Sequence, residues 1–440
     1  MYNNKTMNIA ILGYGVEGKT AEKFLRKEFK SVRIDVRDIK IQGKDYLNNL
    51  NDFDMVVRSP GIPYLLPEIQ KAKKDGVKIT STTKLFFENA RGLLVGITGT
   101  KGKGTTATLL YKILRATKKD AHLIGNMGIP MLDELPKLKK NSISILELSS
   151  FQLQDMDISP NIAVVLDVSP DHLNYHKSMK EYVDAKSNLV KNNLSRHQTF
   201  QDTDIFLLKN SSYSRQSLSQ VPEKFMSSPI CYFFPDNKYS KQIAQKGKGK
   251  KIPVLADRNL VLKIPGAHNL KNASIAAVVA RTLGSNEKVI KRVIKNFKGL
   301  PHRIEFVREI NGIRFYNDSA STNPAATVAA LQAFKEPKIL IAGGAGKNLN
   351  YSPIREALKN SNTKLVVLNG ENQNAIGRAI GRAVPIIYVK DLKSAVKIAF
   401  KRAQKGDVIV LSPASTGFDQ FSGYGERGEN FKRIVKLIKR

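Results

Sequence analysis

LLVGITGTKGKGTTATLLYKIL runs from Leu93 to Leu114, and the order written in it, strand then glycine loop then helix, sets the architecture of the chain. Leu93 to Ile97 is a short apolar run of the kind buried on both faces of a parallel sheet. Gly99 to Gly104 is glycine-rich, and beyond it Leu109, Leu110, Ile113 and Leu114 recur at helical spacing. A loop in that position lets backbone N–H groups converge on a phosphate, where the helix dipole and Lys103 would offset the charge of β and γ phosphates. The spacing departs from G-x-x-x-x-G-K-[ST], because Ile97 stands five residues before Gly102 and Gly104 follows Lys103. A bare glycine turn would set Lys101 and Lys103 against each other, so an anion site is the better reading.

The same pattern repeats on either side. Asn8 to Leu12, Val32 to Val36 and Met55 to Val57 read as strands, with a helix over Gly18 to Phe29, and such βαβ units build a doubly wound parallel sheet. After the glycine loop come strands Ile143 to Leu146 and Ile162 to Leu166, and a helix over Asn269 to Leu283. Between about Lys191 and Asp257 the chain is rich in Lys, Ser, Asn and Gln, and no element is assigned there. Beyond Leu300-Pro301 the reading is strand Ile313 to Tyr316, helix Pro324 to Phe334, then strands Ile339 to Ala342, Leu365 to Leu368, Ile386 to Val389 and Val408 to Leu411. The expected fold is α/β in three domains: Rossmann-like over 1–91, P-loop ATPase-like over 92–299 and Rossmann-like over 300–440. A length of 440 residues requires more than one core, and with no repeat or low-complexity linker the domains should be packed rather than tethered.

Composition narrows the function classes. The net charge is +34, from 72 basic against 38 acidic side chains, yet the lysines are scattered over nearly every helix rather than interleaved with aromatics. That distribution favours a solvated basic surface over a specific nucleic-acid partner. No long apolar run is present, so no membrane insertion is expected. Cys231 is the sole cysteine and the first residues are polar, which fits a cytoplasmic protein without disulfides.

Other residues suggest chemistry. Glu147 ends an apolar strand, where an acid commonly recruits magnesium in a nucleotide site, the lesser alternative being a cap on the helix that follows. Asp171 to His176 holds two of the six histidines. Gly13-x-Gly15-x-x-Gly18, with Asp35 and Asp38 about twenty residues on, suggests a dinucleotide site, tight strand-to-helix packing, or a site for another diphosphate.

Taken in order, these segments resemble the Mur ligase family: Gly96 to Thr106, LELSSFQ from Leu146, Asp171 to His176, GAHNLKN from Gly266, His302-Arg303-x-Glu305, NDSASTN from Asn317, Gly343 to Lys347, and SPASTGFDQFSGYGERG from Ser412. The similarity covers nearly the whole chain. The SPA…FDQF…ERG ending, Ser59-Pro60-Gly61 and the length resemble the branch that adds glutamate to UDP-N-acetylmuramoyl-L-alanine. The resemblance implies ATP-dependent amide ligation through an acyl phosphate, in a monomer using ATP and two Mg2+ sites. Gly99, Thr100, Lys101, Gly102, Lys103, Gly104 and Thr105 would hold ATP phosphates, Asn269 and Asn272 would approach the adenine, and Arg303 and Asp318 the γ-phosphate and ribose. Thr105, Glu147, His172 and a carbamylated Lys186 would ligate magnesium, making Lys186, His172 and Lys103 the catalytic set. Gly15, Val16, Asp35 or Asp38, and Asn126 would meet the UDP-substrate. Thr322, Lys347, Gly417 and Tyr424 would meet the amino acid. Since three domains contribute, the last is expected to close when ATP binds.

The chain departs from the family at three places: Gly104 replaces Ser or Thr after the loop lysine, Ala320 replaces a lysine of many glutamate-adding members, and Gly417 a serine. The last two face the amino acid in the family. A related ligase adding L-glutamate or another amino acid, and a non-catalytic phosphate- or RNA-binding relative, are the alternatives.

Overall fold

The computed structural model describes residues 6–125, 129–172, 175–191, 229–346 and 349–438. Sixteen strands form three sheets among these residues. The first sheet, ordered β2-β1-β3-β4, comprises β1 (Met7–Leu12), β2 (Val32–Arg37), β3 (Met55–Arg58) and β4 (Lys78–Ser81), all parallel. The second is ordered β10-β9-β8-β5-β7-β6 and is also parallel. Its strands are β5 (Leu93–Thr98), β6 (Ala121–Gly125), β7 (Ile143–Glu147), β8 (Ile162–Val165), β9 (Ile230–Phe233) and β10 (Lys250–Pro253). The third runs β11-β12-β16-β13-β14-β15, with β11 (Glu305–Ile310) antiparallel to β12 (Ile313–Asn317). Its remaining strands, β13 (Lys338–Ala342), β14 (Thr363–Leu368), β15 (Ile386–Tyr388) and β16 (Val408–Leu411), pair in parallel.

The chain packs as two compact units, Met1–Arg258 with Lys271–Val293, and Asn259–Leu270 with Ile294–Arg440. The first unit carries the first two sheets, and they share a core: Ile9, Ile11 and Val57 cluster with Phe86, Leu94, Leu146 and Leu148. The packed arrangement of these two sheets is what the absence of a linker predicts. In the second unit, Tyr316, Leu340 and Val410 fill one core cluster, and Phe315, Ile341 and Phe431 another.

Every residue of β5 is buried, as a central parallel strand requires. Gly96 in its middle is set by a close approach. A Cβ there would lie 2.7 Å from Leu189 Cδ1 and 2.9 Å from Pro160 Cγ, so only glycine lets the helix Met179–Lys191 pack this tightly. That helix carries Lys186 at the level of the strand ends.

Candidate active site

β5 hands the chain to the glycine loop and then to the helix Lys103–Ala116, whose N-cap is Gly102 with φ +85°. The left-handed backbone there favours glycine, and the lack of a side chain leaves room for Asn272, whose Oδ1 lies 2.4 Å from where a Cβ would stand. Asn272, buried on the helix Ala267–Thr282, is thereby held against the loop. Thr100 closes the other side: its hydroxyl donates to Ser169 O at 3.0 Å, accepts from Ser169 N at 3.0 Å and meets the Tyr182 hydroxyl at 3.0 Å.

Two lysines converge on this loop. Lys103 Nζ donates to Gly99 O and Thr100 O, both at 3.1 Å, and Lys186 Nζ donates to the same Gly99 O at 3.0 Å. Lys186 is 1% exposed and its Nζ lies 4.5 Å from the centre of the Tyr182 ring. Burial, reinforced by the charge of Lys103 and opposed by Asp171, holds its amine well below the usual lysine range. The amine is therefore a weaker base than an exposed lysine.

Glu147 ends β7, is 4% exposed and pairs in register with Ile97, two residues before Gly99. It does not cap the next helix. Ser149 does so through a capping box, with Gln152 N donating to Ser149 Oγ at 3.3 Å and Ser149 N donating to Gln152 Oε1 at 2.9 Å.

The two histidines of the Asp171–His176 loop divide their roles. His176 is fully buried, its Nε2 2.9 Å from Ser150 Oγ and its Nδ1 3.3 Å from Glu181 Oε1, and burial lowers its pKa. This is a structural histidine. His172 is half exposed, adopts a left-handed φ of 52°, and stands edge-on to Phe151 with ring centres 5.0 Å apart. Phe151 belongs to the LELSSFQ segment, so the ring contact brings that motif and the histidine loop together. A non-glycine residue held at positive φ marks a position fixed by its surroundings.

Near β1 the two candidate acids have different partners. Asp38 accepts from Tyr14 N at 2.6 Å and from Lys40 N at 2.9 Å, and these backbone donors hold its carboxyl below the usual range. Asp35 instead pairs with Arg37 at 3.0 Å. Gly15 caps the helix Val16–Glu28, and Val16 is exposed at its start.

In the second unit Asp318 is buried, accepting from Ser321 Oγ at 2.5 Å, Ser412 Oγ at 2.7 Å and Ile304 N at 3.1 Å. Burial outweighs these donors and pushes its carboxyl up to about 6, while the charge of Arg303 acts against the rise. Asn269 also belongs to this unit and donates to Pro265 O at 2.6 Å. Arg427 was not singled out from the sequence. It is 3% exposed and donates to Ser319 Oγ, Ser319 O and Ser415 O, all at 2.9 Å, tying the loop of Thr322 to that of Gly417. Burial brings its guanidinium down to about 10. A Cβ at Gly417 would stand 3.2 Å from Gly423 O, a tight approach for any larger residue. Tyr424 is half exposed, edge-on to His302. Nothing in the structure accounts for Ala320. A cavity of about 540 Å³ in this unit is lined by Gly370, Glu371, Gln373, Lys390, Asp419 and Gln420. Asn126 and Lys347 lie outside the described residues.

Residues 97–280 match the Mur ligase middle domain, and residues 302–415 match the Mur ligase glutamate ligase domain. The UDP-N-acetylmuramoylalanine--D-glutamate ligase of Acetivibrio thermocellus is 38% identical over 423 residues, covering 91% of this chain and 86% of that protein. The enzyme of the same description from Clostridium botulinum strain 657 is 33% identical over 461 residues, covering 99% and 97%. Among solved structures, the UDP-N-acetylmuramate-alanine ligase of Thermotoga maritima superposes with TM-score 0.55 at 17% identity, covering 98% of this chain and all of that one. The folylpolyglutamate synthase of the same organism gives 0.55 at 14% identity, covering 81% and 92%. The phosphate-type loop with its paired lysines and strand-end acid, and these matches over nearly the full length, agree: the chain belongs to the Mur ligase family.

Proposed function

We propose that this protein is an ATP- and magnesium-dependent ligase that joins D-glutamate to UDP-N-acetylmuramoyl-L-alanine, a step of peptidoglycan precursor synthesis in the cytoplasm. The observation that carries the reading is the convergence of Lys103 and Lys186 on one carbonyl of the glycine loop, at 3.1 and 3.0 Å from Gly99 O, beside the strand that ends in Glu147. The family's activity and the printed names of its relatives supply the substrates. Residues 1–91, 92–299 and 300–440 would serve the UDP-substrate, ATP and the amino acid in turn.

The substrate carboxylate is a poor acyl donor. Its oxygen would attack the γ-phosphorus of ATP, releasing ADP and leaving an acyl phosphate. The glutamate amine would then attack the acyl carbon, forming the amide as inorganic phosphate departs and the amine proton passes to solvent. Lys103 and the N-terminus of its helix would neutralise the phosphate oxygens through the transfer. Asn272 and Gly102 fix the loop that carries them. Excluding water would protect the acyl phosphate from hydrolysis.

Magnesium usually takes one or two protein carboxylates and completes its shell with phosphate oxygens and water. The chain fits that requirement. Among the described residues no set of three or more His, Cys, Asp or Glu forms a cage, while Glu147 is a buried carboxylate at the strand end. Glu147 and His172, with Thr105 or a neighbouring hydroxyl and a carbamate on Lys186, would hold two ions. When bound, these ions would spread the negative charge of the transferring phosphoryl group. The carbamate would form as the unprotonated form of the Lys186 amine adds to the carbon of CO2 and gives up a proton, exchanging a donor for an anionic ligand. The depressed basicity of Lys186 supports that step.

Phosphate release in the presence of UDP-N-acetylmuramoyl-L-alanine, ATP and each glutamate enantiomer tests the reading. Release with D-glutamate alone is expected. Release with L-glutamate alone would favour the related ligase that Ala320 suggests, and no release with either would overturn the assignment.

A further inference from the structure

Arg58 is the last residue of β3 and is completely buried. Its Nη1 donates to Ile62 O at 2.7 Å and approaches Pro60 O at 3.4 Å, while its Nη2 donates to Phe151 O at 3.1 Å and to Asp155 Oδ1 at 2.7 Å. One guanidinium thus spans the Ser59–Ile62 loop of the first sheet and the helix Ser150–Leu153 of the second.

Each end leads to a functional turn. On one side Ser59 Oγ donates to Gly13 O at 2.7 Å, and Ile62 packs on the same glycine turn. On the other, the Phe151 ring lies 5.0 Å from that of His172 and 4.1 Å from that of Tyr175, whose hydroxyl reaches back to Ile62 O at 3.4 Å. The pair is poorly built for stability alone. Arg58 Nε and Asp155 Oδ2 are buried without hydrogen-bond partners, and a desolvated ion pair with unsatisfied atoms is often no better than an apolar pair of similar size. What the fork does offer is geometry, since a planar guanidinium fixes two carbonyls and a carboxylate at once.

We propose that Arg58 is a positioning residue that sets the Gly13–Gly18 turn at a fixed distance from the Phe151–His172 pair. UDP-substrate would then arrive in register with the ATP site. The inference rests on the ligase reading for what the two turns bind.

The test is the paired variant Arg58→Met with Asp155→Leu, which removes both charges and keeps the volume. Thermal unfolding, UDP-substrate affinity by calorimetry, and the KM of each substrate are measured against wild type. Expected are an unfolding midpoint at or above wild type, UDP-substrate affinity and turnover each reduced on the order of tenfold, and KM values for ATP and glutamate within about twofold. A part that only holds the fold together would instead lower turnover without moving the UDP-substrate affinity. Arg58→Lys keeps the charge but cannot bridge Ile62 O and Phe151 O together, so it should weaken UDP-substrate in the same direction, and it decides the matter if the paired variant does not fold. UDP-substrate affinity within about twofold of wild type in a folded variant overturns the proposal. Wild type that binds UDP-substrate without turnover would sink the ligase reading while the affinity comparison still judges Arg58.

Discussion

Asp318→Asn should make the second unit more stable at neutral pH and the protein a poorer enzyme. Burial raises the Asp318 carboxyl from 3.8 to about 6 despite three hydrogen-bond donors. A raised acid means that the folded state holds the proton more tightly than the unfolded state, so stability falls as pH rises through this interval. The neutral carboxyl contributes fully below about pH 4, and above about pH 6 the whole cost of the buried charge applies. A shift of roughly two units corresponds to about 3 kcal/mol, of which about half is present at pH 5. Asparagine carries no such charge, and the Ser321 and Ser412 hydroxyls can turn to accept from its amide. Any constant cost of that rearrangement cancels when the difference between variant and wild type is compared across pH. Hydrogen exchange of the β12 and β16 amides reads the stability of the element carrying Asp318. The gain of the variant should widen from about pH 4 to 7 while turnover drops at least ~10-fold. A gain that stays constant with pH would refute the argument, because the penalty would then not come from ionisation.

Lys186→Ala should nearly abolish turnover and recover in part with an added short-chain carboxylate; wild-type activity in that variant would remove the carbamate from the account. Glu147→Gln keeps the shape but lowers the charge at the end of β7, and it should raise the magnesium concentration for half-maximal turnover by ~10- to 100-fold, read from a magnesium titration. Gly96→Ala places a methyl 2.7 Å from Leu189 Cδ1 and 2.9 Å from Pro160 Cγ, atoms of packed side chains. The overpacking should cost about 1–3 kcal/mol and displace the helix that bears Lys186, so the unfolding temperature and turnover should fall together.

Much of this was legible in the chain itself. Runs such as Leu93 to Ile97 and Ile339 to Ala342 are apolar without alternation, which marks parallel strands, and both lie in β5 and β13. The helix expected over Gly18 to Phe29 instead runs Val16–Glu28, and that over Asn269 to Leu283 runs Ala267–Thr282, offsets of the kind helix ends commonly give. The glycine loop stood out as a candidate phosphate site because its composition is local. Asn272 against Gly102 and Lys186 on Gly99 O depend on tertiary approach, which periodicity does not report. Arg58 escaped notice, and Arg427 entered only as a letter of the ERG motif, with no role attached. A single arginine ending an apolar strand, or lying in a basic C-terminal helix, reads as surface charge until its burial is known. The bond from Tyr14 N to Asp38 is likewise a contact that no spacing rule encodes.

Oxygen transfer tests the acyl phosphate that the whole account rests on. With the carboxylate of UDP-N-acetylmuramoyl-L-alanine labelled with heavy oxygen, turnover with ATP and D-glutamate should deliver one labelled atom into each inorganic phosphate, since the attacking oxygen leaves with the phosphorus. Unlabelled phosphate released alongside amide product would contradict it.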